Sequence, residues 1–421
     1  MNHQVLQSVI FDQHTVIRDS EIQKRNIFLE PNGRYVLTGL RRAGKSSILY
    51  RLAQDLVSSG VDWNRIIYIN FEDERLSGMK TEDLNDILLV QKELSSEKGY
   101  FFFDEIQNVE GWEKFCRRLA DQKEYVQVTG SNAKALSGEI MTVLGARFMN
   151  LHVDTYSFEE YLNAKQVDHD KKALRTTKKL GDVLREFERY MHLGGFPESL
   201  LYVNPRDYLL SVYQKTLLSD MIVRSRVQNS EAMRIMVKKL AETVTRPISY
   251  TRLHGAVIGS GVKVSKDSIV DYVHYAENAY LIFRVENYFA KLAEKESNPE
   301  YYFADNGLLN LFLTGHDSLL LENLIAIALK RSAPDDLYFM KSDECDVDFY
   351  RTDNHTAYQV TMELNEDSSK REIESIVTLS KTFKQAERFV IITKNQEDTM
   401  EVDGVTIEVI PAYRFLLELD I

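Results

Sequence analysis

Residues 39–46 read Gly-Leu-Arg-Arg-Ala-Gly-Lys-Ser and satisfy the pattern G-x-x-x-x-G-K-[ST]. An apolar run ending at Thr38 precedes this octet, and the helix-periodic segment Ile48–Val57 follows it. Few folds accommodate such a sequence. The chain must leave a strand, wrap glycine-rich backbone around an anion, and enter a helix whose positive N-terminal end faces the same point. A chance match in a chain this long is on the order of a few per cent, given glycine near ~7% of residues. The anion that fits is the triphosphate of a nucleotide. The loop Gly39, Leu40, Arg41, Arg42, Ala43 and Gly44, with Ser47, is expected to line it, Lys45 to reach its β- and γ-phosphates, and Ser46 to ligate Mg²⁺.

A partner for that metal follows one strand later. Tyr100-Phe101-Phe102-Phe103 is a continuous apolar run, as expected for a central strand covered on both faces, and it ends in Asp104-Glu105. Ligands of open α/β sheets bind at the carboxyl ends of strands, which makes Asp104 the expected second metal ligand. The adjacent Glu105 is placed to polarise an attacking water, the signature of hydrolysis rather than storage. Farther on, Val128-Thr129-Gly130-Ser131-Asn132 ends another strand with polar side chains, and Ser131 and Asn132 are expected to sense the γ-phosphate. Arg147 is expected to stabilise developing phosphate charge, within its own chain or on a neighbour. Glu72 and Asp73 read as a solvated strand end.

The 421 residues are 44% apolar and 28% charged with 7 prolines and 2 cysteines, which excludes a disordered chain or a disulfide framework. No apolar stretch reaches membrane-spanning length and residues 1–10 lack a leader's pattern, so a cytoplasmic protein with no membrane partner is expected. Strands alternating with helices through residue 157 predict a parallel α/β sheet, with strands at Arg34–Thr38, Arg65–Phe71, Tyr100–Asp104, Tyr125–Thr129 and Phe148–Val153. Residues 158–228 read as a helical lid or linker broken at Gly194-Gly195-Phe196-Pro197. Residues 229–304 read as three helices and a hairpin, a winged-helix pattern, and residues 305–421 as a second α/β domain. Charge divides along the same lines: net −5 over residues 1–160, +6 over 161–299 and −13 over 300–421. DNA is therefore expected to meet residues 161–299, through Lys238, Lys239, Arg246, Arg252 and Lys263.

Taken with Gly145-Ala146-Arg147-Phe148, Leu321-Glu322-Asn323, Asp346-Val347-Asp348-Phe349 and Tyr358-Gln359-Val360-Thr361, these motifs resemble those of prokaryotic AAA-like P-loop ATPases that carry a C-terminal domain of unknown function with a restriction-endonuclease-like fold. The resemblance spans nearly the whole chain. It implies ATP and Mg²⁺ as ligands, a P-loop core with an additional strand and a catalytic Glu, and a winged-helix middle; it implies no substrate. Active nucleases of that fold hold Glu-x-Lys where this chain has Gln359 and Thr361, so the C-terminal domain is expected to be catalytically degenerate and to bind a protein partner. The expected function is an ATP-hydrolysing switch or motor, acting on DNA and as a homo-oligomer. The alternatives are a nucleotide-gated scaffold with little turnover and an ATP-regulated nuclease.

Overall fold

A computed structural model of the chain describes residues 2–130 and 138–419, and its contacts gather into two units, Met1–Asp154 and Thr155–Ile421. In the first unit five strands form one sheet: β1 (Tyr35–Thr38), β2 (Ile66–Asn70), β3 (Tyr100–Asp104), β4 (Tyr125–Gly130) and β5 (Met149–His152). Every neighbouring pair is parallel, in the order β2-β3-β4-β1-β5. Parallel strands require long crossovers, supplied by helices Lys45–Ser58, Leu84–Leu94, Trp112–Asp121 and Gly138–Leu144. Phe101, Phe102 and Phe103 on β3 are all buried, each ring contributing roughly 2–3 kcal/mol. Because β4 lies between β1 and β3, Thr38, Asp104 and Thr129 end neighbouring strands on one edge of the sheet.

The helix His3–Asp19 adds to the expected elements. Asn2 caps it by accepting the Gln4 N–H at 2.9 Å, and Leu6, Val9, Ile10 and Ile17 fill its buried face. His14 interrupts that apolar stripe; its ring nitrogen meets the Ile66 carbonyl at 2.7 Å, and burial lowers its pKa.

The second unit begins with helices Phe158–Ala164, Thr177–Leu193 and Pro205–Lys215, the last running into a π-helical turn, Thr216–Val223. Three further helices, Ser230–Glu242, Tyr250–Gly259 and Lys266–Asn278, are capped by Asn229, Ser249 and Ser265, whose side chains accept backbone N–H groups of the first turn. Strands β6 (Ile282–Asn287), β7 (Glu300–Phe303), β8 (Leu337–Lys341), β9 (Asp346–Arg351), β10 (Thr356–Thr361), β11 (Arg388–Thr393), β12 (Asp398–Val402) and β13 (Val405–Pro411) then form a single sheet. Its order is β12-β13-β11-β10-β9-β8-β6-β7. The hairpin β6–β7 is thus the edge of the larger sheet, with Glu286 and Asn287 paired to Tyr338 and Phe339. A boundary at residue 304 cuts through this layer. Pairing between β6 and β8 is non-local and leaves no periodic trace in either strand, although the buried run Tyr301-Tyr302-Phe303 already marks β7 as covered.

Gly194-Gly195-Phe196-Pro197 serves a buried polar knot. Asp305, almost wholly enclosed, accepts the Thr155 hydroxyl at 2.9 Å, the Gly195 N–H at 2.9 Å and the Gly307 N–H at 2.8 Å. Gly194 has φ +70°, and a Cβ there would sit 2.0 Å from Asp305 Oδ1. Asn306 and Asn323 extend the knot, Asn323 donating to Asn306 Oδ1 at 2.8 Å and to the Phe303 carbonyl at 3.1 Å. Removing the carboxylate orphans donors that water cannot reach, at about 1–3 kcal/mol each. Asp305→Ala should therefore lower stability by roughly 3 kcal/mol or more in urea or thermal unfolding; an unchanged transition would show that the knot contributes no stability.

Candidate functional site

The chain leaves β1 at Thr38 and turns at Gly39, whose φ is +137° and where a Cβ would lie 2.1 Å from the Val153 carbonyl oxygen. Only glycine passes between β1 and the end of β5. The loop closes with the Ala43 N–H on the Leu40 carbonyl at 3.2 Å, and helix Lys45–Ser58 starts behind it. Arg25 braces the loop from outside, donating to the Ala43 carbonyl and to the Asp154 carbonyl at 3.0 Å each. Lys45 is buried, its ammonium folded back on the Gly39 and Leu40 carbonyls at 3.0 Å each. Arg41 pairs with Glu72 at 3.2 Å. Asp73 caps the short turn Glu74–Leu76 and pairs with Arg75 at 2.7 Å, which holds its carboxyl below the usual range.

Asp104 is the best-held side chain of the site. Its Oδ1 accepts the Thr129 hydroxyl from β4, its Oδ2 accepts the Tyr68 hydroxyl from β2 at 2.8 Å, and the Ser46 hydroxyl of the loop helix stands near enough to favour its charged form. Burial, then the neighbouring Glu105 charge, pushes its pKa up, and the three hydroxyls oppose that rise. Glu105 follows in the left-handed region, φ 53° and ψ 39°, a conformation costly for a residue with a Cβ and common at functional positions. Its N–H reaches Thr129 Oγ1 at 2.9 Å, so one hydroxyl joins both acidic residues, and its carboxylate accepts the Gln107 amide. Thr129 was read as part of a sensor strand; its side chain instead faces Asp104. Beside the loop, Ser47 and Ile48 share a crevice of about 150 Å³ with Ile22, Arg25, Ile27 and Leu29.

The structure thus brings Lys45, Ser46, Asp104 and Glu105 to one edge of the sheet. Ser131 and Asn132 lie outside the described residues. Arg147 is not brought to the loop of its own chain. It stands two residues before Met149, which pairs with Tyr35 at the start of β1, whereas the loop follows Thr38 at the other end. The strand between spans about 10 Å at ~3.3 Å per residue. Its guanidinium is held by Asp121 and by the Gly145 carbonyl at 3.0 Å. Two residues the sequence did not single out, Tyr68 and Gln107, complete the site; their contacts depend on strand order and on a local turn that spacing does not reveal.

A second set of carboxylates gathers at the large sheet, Glu300 on β7, Asp348 on β9, Glu322 on the helix Asp317–Ser332 and Glu372 on the helix Glu366–Thr382. Glu300, Glu322, Asp348 and Glu372 influence one another electrostatically, with burial as the leading cause that raises Glu300, Glu322 and Asp348. Gln359, where a nuclease would hold Glu, is a strap: its Oε1 accepts the Asp348 N–H at 3.3 Å and its amide donates to Glu372 at 2.5 Å. Thr361 donates to the Glu363 carbonyl at 3.3 Å, and Lys341 is paired with Asp346 at 2.6 Å. Among the described residues, Glu188, His192 and Asp317 are grouped closely enough to share a metal ion, but Lys394 binds Glu188 at 2.7 Å and Asp317 binds His192 at 3.0 Å. These contacts satisfy the trio without a metal. No helix among the described residues is long and apolar enough to cross a membrane.

Comparison with known proteins supports the P-loop reading. Residues 32–162 match a family model described as an AAA domain, and residues 184–319 match a domain of unknown function. An uncharacterized protein of Methanocaldococcus jannaschii is 28% identical, with 98% of this chain and 95% of that one covered. An uncharacterized protein of Haemophilus influenzae is 29% identical over 96% of this chain and 99% of its own. Among solved structures, a Walker-type ATPase of Pyrococcus abyssi aligns over 70% of this chain and 99% of its own at 14% identity, TM-score 0.44. The AAA-domain match, residues 32–162, takes in the loop Gly39–Ser46 and the pair Asp104-Glu105 that meet at one edge of the sheet.

The raised carboxyl groups make stability depend on pH. Glu300, lifted to about 7 by burial, binds its proton more tightly folded than unfolded, so its contribution is complete below the ordinary glutamate range and is lost as pH rises through about 7. Glu300→Gln removes that loss. The variant should gain on the order of 3 kcal/mol over wild type at pH 8.5 and little or nothing at pH 4.5. Equal differences at the two pH values in thermal unfolding would exclude a buried titrating Glu300.

Proposed function

We propose that this protein is a Mg²⁺-dependent ATPase acting as a switch or motor, in which nucleotide state is coupled to residues 155–421. The single observation that carries the hydrolytic reading is Glu105, fixed beside Asp104 by the shared Thr129 hydroxyl at the edge that also holds Lys45 and Ser46. Lys45 turns its ammonium from the two loop carbonyls onto the phosphates. Loop N–H groups and the helix start orient the triphosphate. The Ser46 hydroxyl and Asp104 carboxylate are adjacent hard oxygen donors and suit a small hard cation, which when bound neutralises charge on the phosphates. Glu105 orients a water and takes its proton.

In this reading residues 158–228 are a lid or linker and residues 229–304 act as a winged helix. Lys238, Arg246, Arg252 and Lys263 are exposed there, which supports contact with a DNA backbone. Residues 305–421 serve as a restriction-endonuclease-like interaction module without nuclease activity, a role supported by the locked amide of Gln359. Arg147, remote from its own loop, acts on the nucleotide of a neighbouring copy. The contact between Gln107 and Glu105 favours a second reading, a nucleotide-gated scaffold with little turnover, because an amide-bound oxygen is less available to water.

Phosphate release and nucleotide binding separate the two. Lys45→Ala should abolish ATP binding, whereas Glu105→Gln should keep it and slow hydrolysis by about 100-fold or more; wild-type turnover no faster than Glu105→Gln would select the scaffold. Stimulation by double- or single-stranded DNA, fading steeply with salt, is the expected sign of backbone contact. Mixing Arg147→Ala with Glu105→Gln protein should restore turnover at mixed interfaces. Failure of that rescue in a chain that sediments as a monomer with ATP would leave Arg147 a structural residue paired with Asp121.

A further inference from the structure

Tyr68 is fully buried on β2, in register with Phe102 of β3, two residues before the pair Asn70 and Asp104. Its ring packs against Phe102 at 6.1 Å and edge-on against Tyr50 at 5.0 Å, and Tyr50 lies one helical turn beyond Ser46. The Tyr68 hydroxyl donates to Asp104 Oδ2 at 2.8 Å, and the Tyr50 hydroxyl meets Gln13 Oε1 at 3.5 Å. A phenylalanine would fill this apolar position without burying a hydroxyl that needs a partner. The hydroxyl has a consequence for Asp104. The final torsion of an aspartate is soft, yet here each oxygen carries a donor from a different flanking strand, Thr129 on Oδ1 and Tyr68 on Oδ2. The carboxylate plane is fixed, and each oxygen retains further acceptor capacity.

Resting on the nucleotide reading above, we propose that Tyr68 is a positioning residue for the metal-binding carboxylate. Through its hydroxyl on Asp104 Oδ2, it sets how strongly Mg²⁺ tightens nucleotide binding, while contributing little to nucleotide binding without metal. Tyr50 supports it from the loop helix. Partners of this kind, bonded to a ligand rather than to the ion, typically change metal affinity by about 10–100-fold when removed.

The test uses the full chain and a fluorescent ATP analogue, titrated in EDTA and then with increasing Mg²⁺, for wild type, Tyr68→Phe, Tyr50→Leu and Lys45→Ala. Tyr68→Phe should bind in EDTA within about twofold of wild type, yet need about 10-fold more Mg²⁺ for half-maximal tightening. Tyr50→Leu, which removes the ring packed edge-on against Tyr68, should shift the Mg²⁺ midpoint in the same direction by less, which preserves the test should Tyr68→Phe fail to fold. An unchanged Mg²⁺ midpoint in the folded Tyr68→Phe protein, or equal weakening with and without metal, would overturn the proposal and make Tyr68 a packing residue. Equal binding by wild type and Lys45→Ala would overturn the nucleotide reading itself, and this inference with it.

Discussion

The candidate site depends on one buried carboxylate. Asp104 is enclosed at the end of the interior strand β3, and burial alone would drive it toward its neutral form. Hydroxyls from three elements oppose this: Tyr68 from β2, Thr129 from β4 and Ser46 from the loop helix. None of the three is close to Asp104 in sequence. They converge because β4 is inserted between β1 and β3 and because the helix after β1 begins at the same edge. The left-handed backbone of Glu105 follows from the same arrangement, since the Thr129 oxygen that donates to Asp104 also receives the Glu105 N–H. Strain at Glu105 is thus tied to the carboxylate clamp.

The second unit repeats this arrangement away from the candidate site. Asp305 and Asn323 join distant segments through buried hydrogen bonds, and Gly194 and Gly195 supply the space and an N–H. Gln359 does the same for β9, β10 and the helix Glu366–Thr382. Buried polar groups are costly unless every partner is in place, so such knots favour one packing over its near alternatives. They also explain why polar residues that resemble functional motifs here act as ties. Glu300, Glu322 and Asp348, in contrast, are carboxyl groups that burial and one another's proximity push toward the protonated form.

Much of the first unit was legible because its signals are local. The octet at Gly39–Ser46, the continuous run Tyr100–Phe103 and the acidic pair that ends it mark the loop, a strand covered on both faces and the candidate metal ligand directly, although the strand is β3, beside the central β4. The contacts that tune those residues were not legible: Tyr68 reads as one more apolar position in Ile66–Ile69, and Gln107 as a surface amide. Arg147 shows the limit from the other side. Its place before the last strand was correctly read, but only the pairing of Met149 with Tyr35 shows which end of the sheet it occupies. The pairing of the hairpin β6–β7 with β8 is hidden for the same reason, since β8 lies about fifty residues away along the chain. β12 escaped notice because Asp398-Thr399-Met400-Glu401-Val402 is an edge strand with mostly exposed side chains, whose charges suit an edge and suppress the strand pattern.

The most direct test of the central claim is a crystal structure of the full chain with Mg²⁺ and a non-hydrolysable ATP analogue. The account predicts the triphosphate within the loop Gly39–Ser46, Lys45 turned from the Gly39 and Leu40 carbonyls onto it, and Asp104 still bonded to Tyr68 and Thr129. A nucleotide bound elsewhere, or a loop that stays closed on Lys45 at saturating ligand, would contradict it.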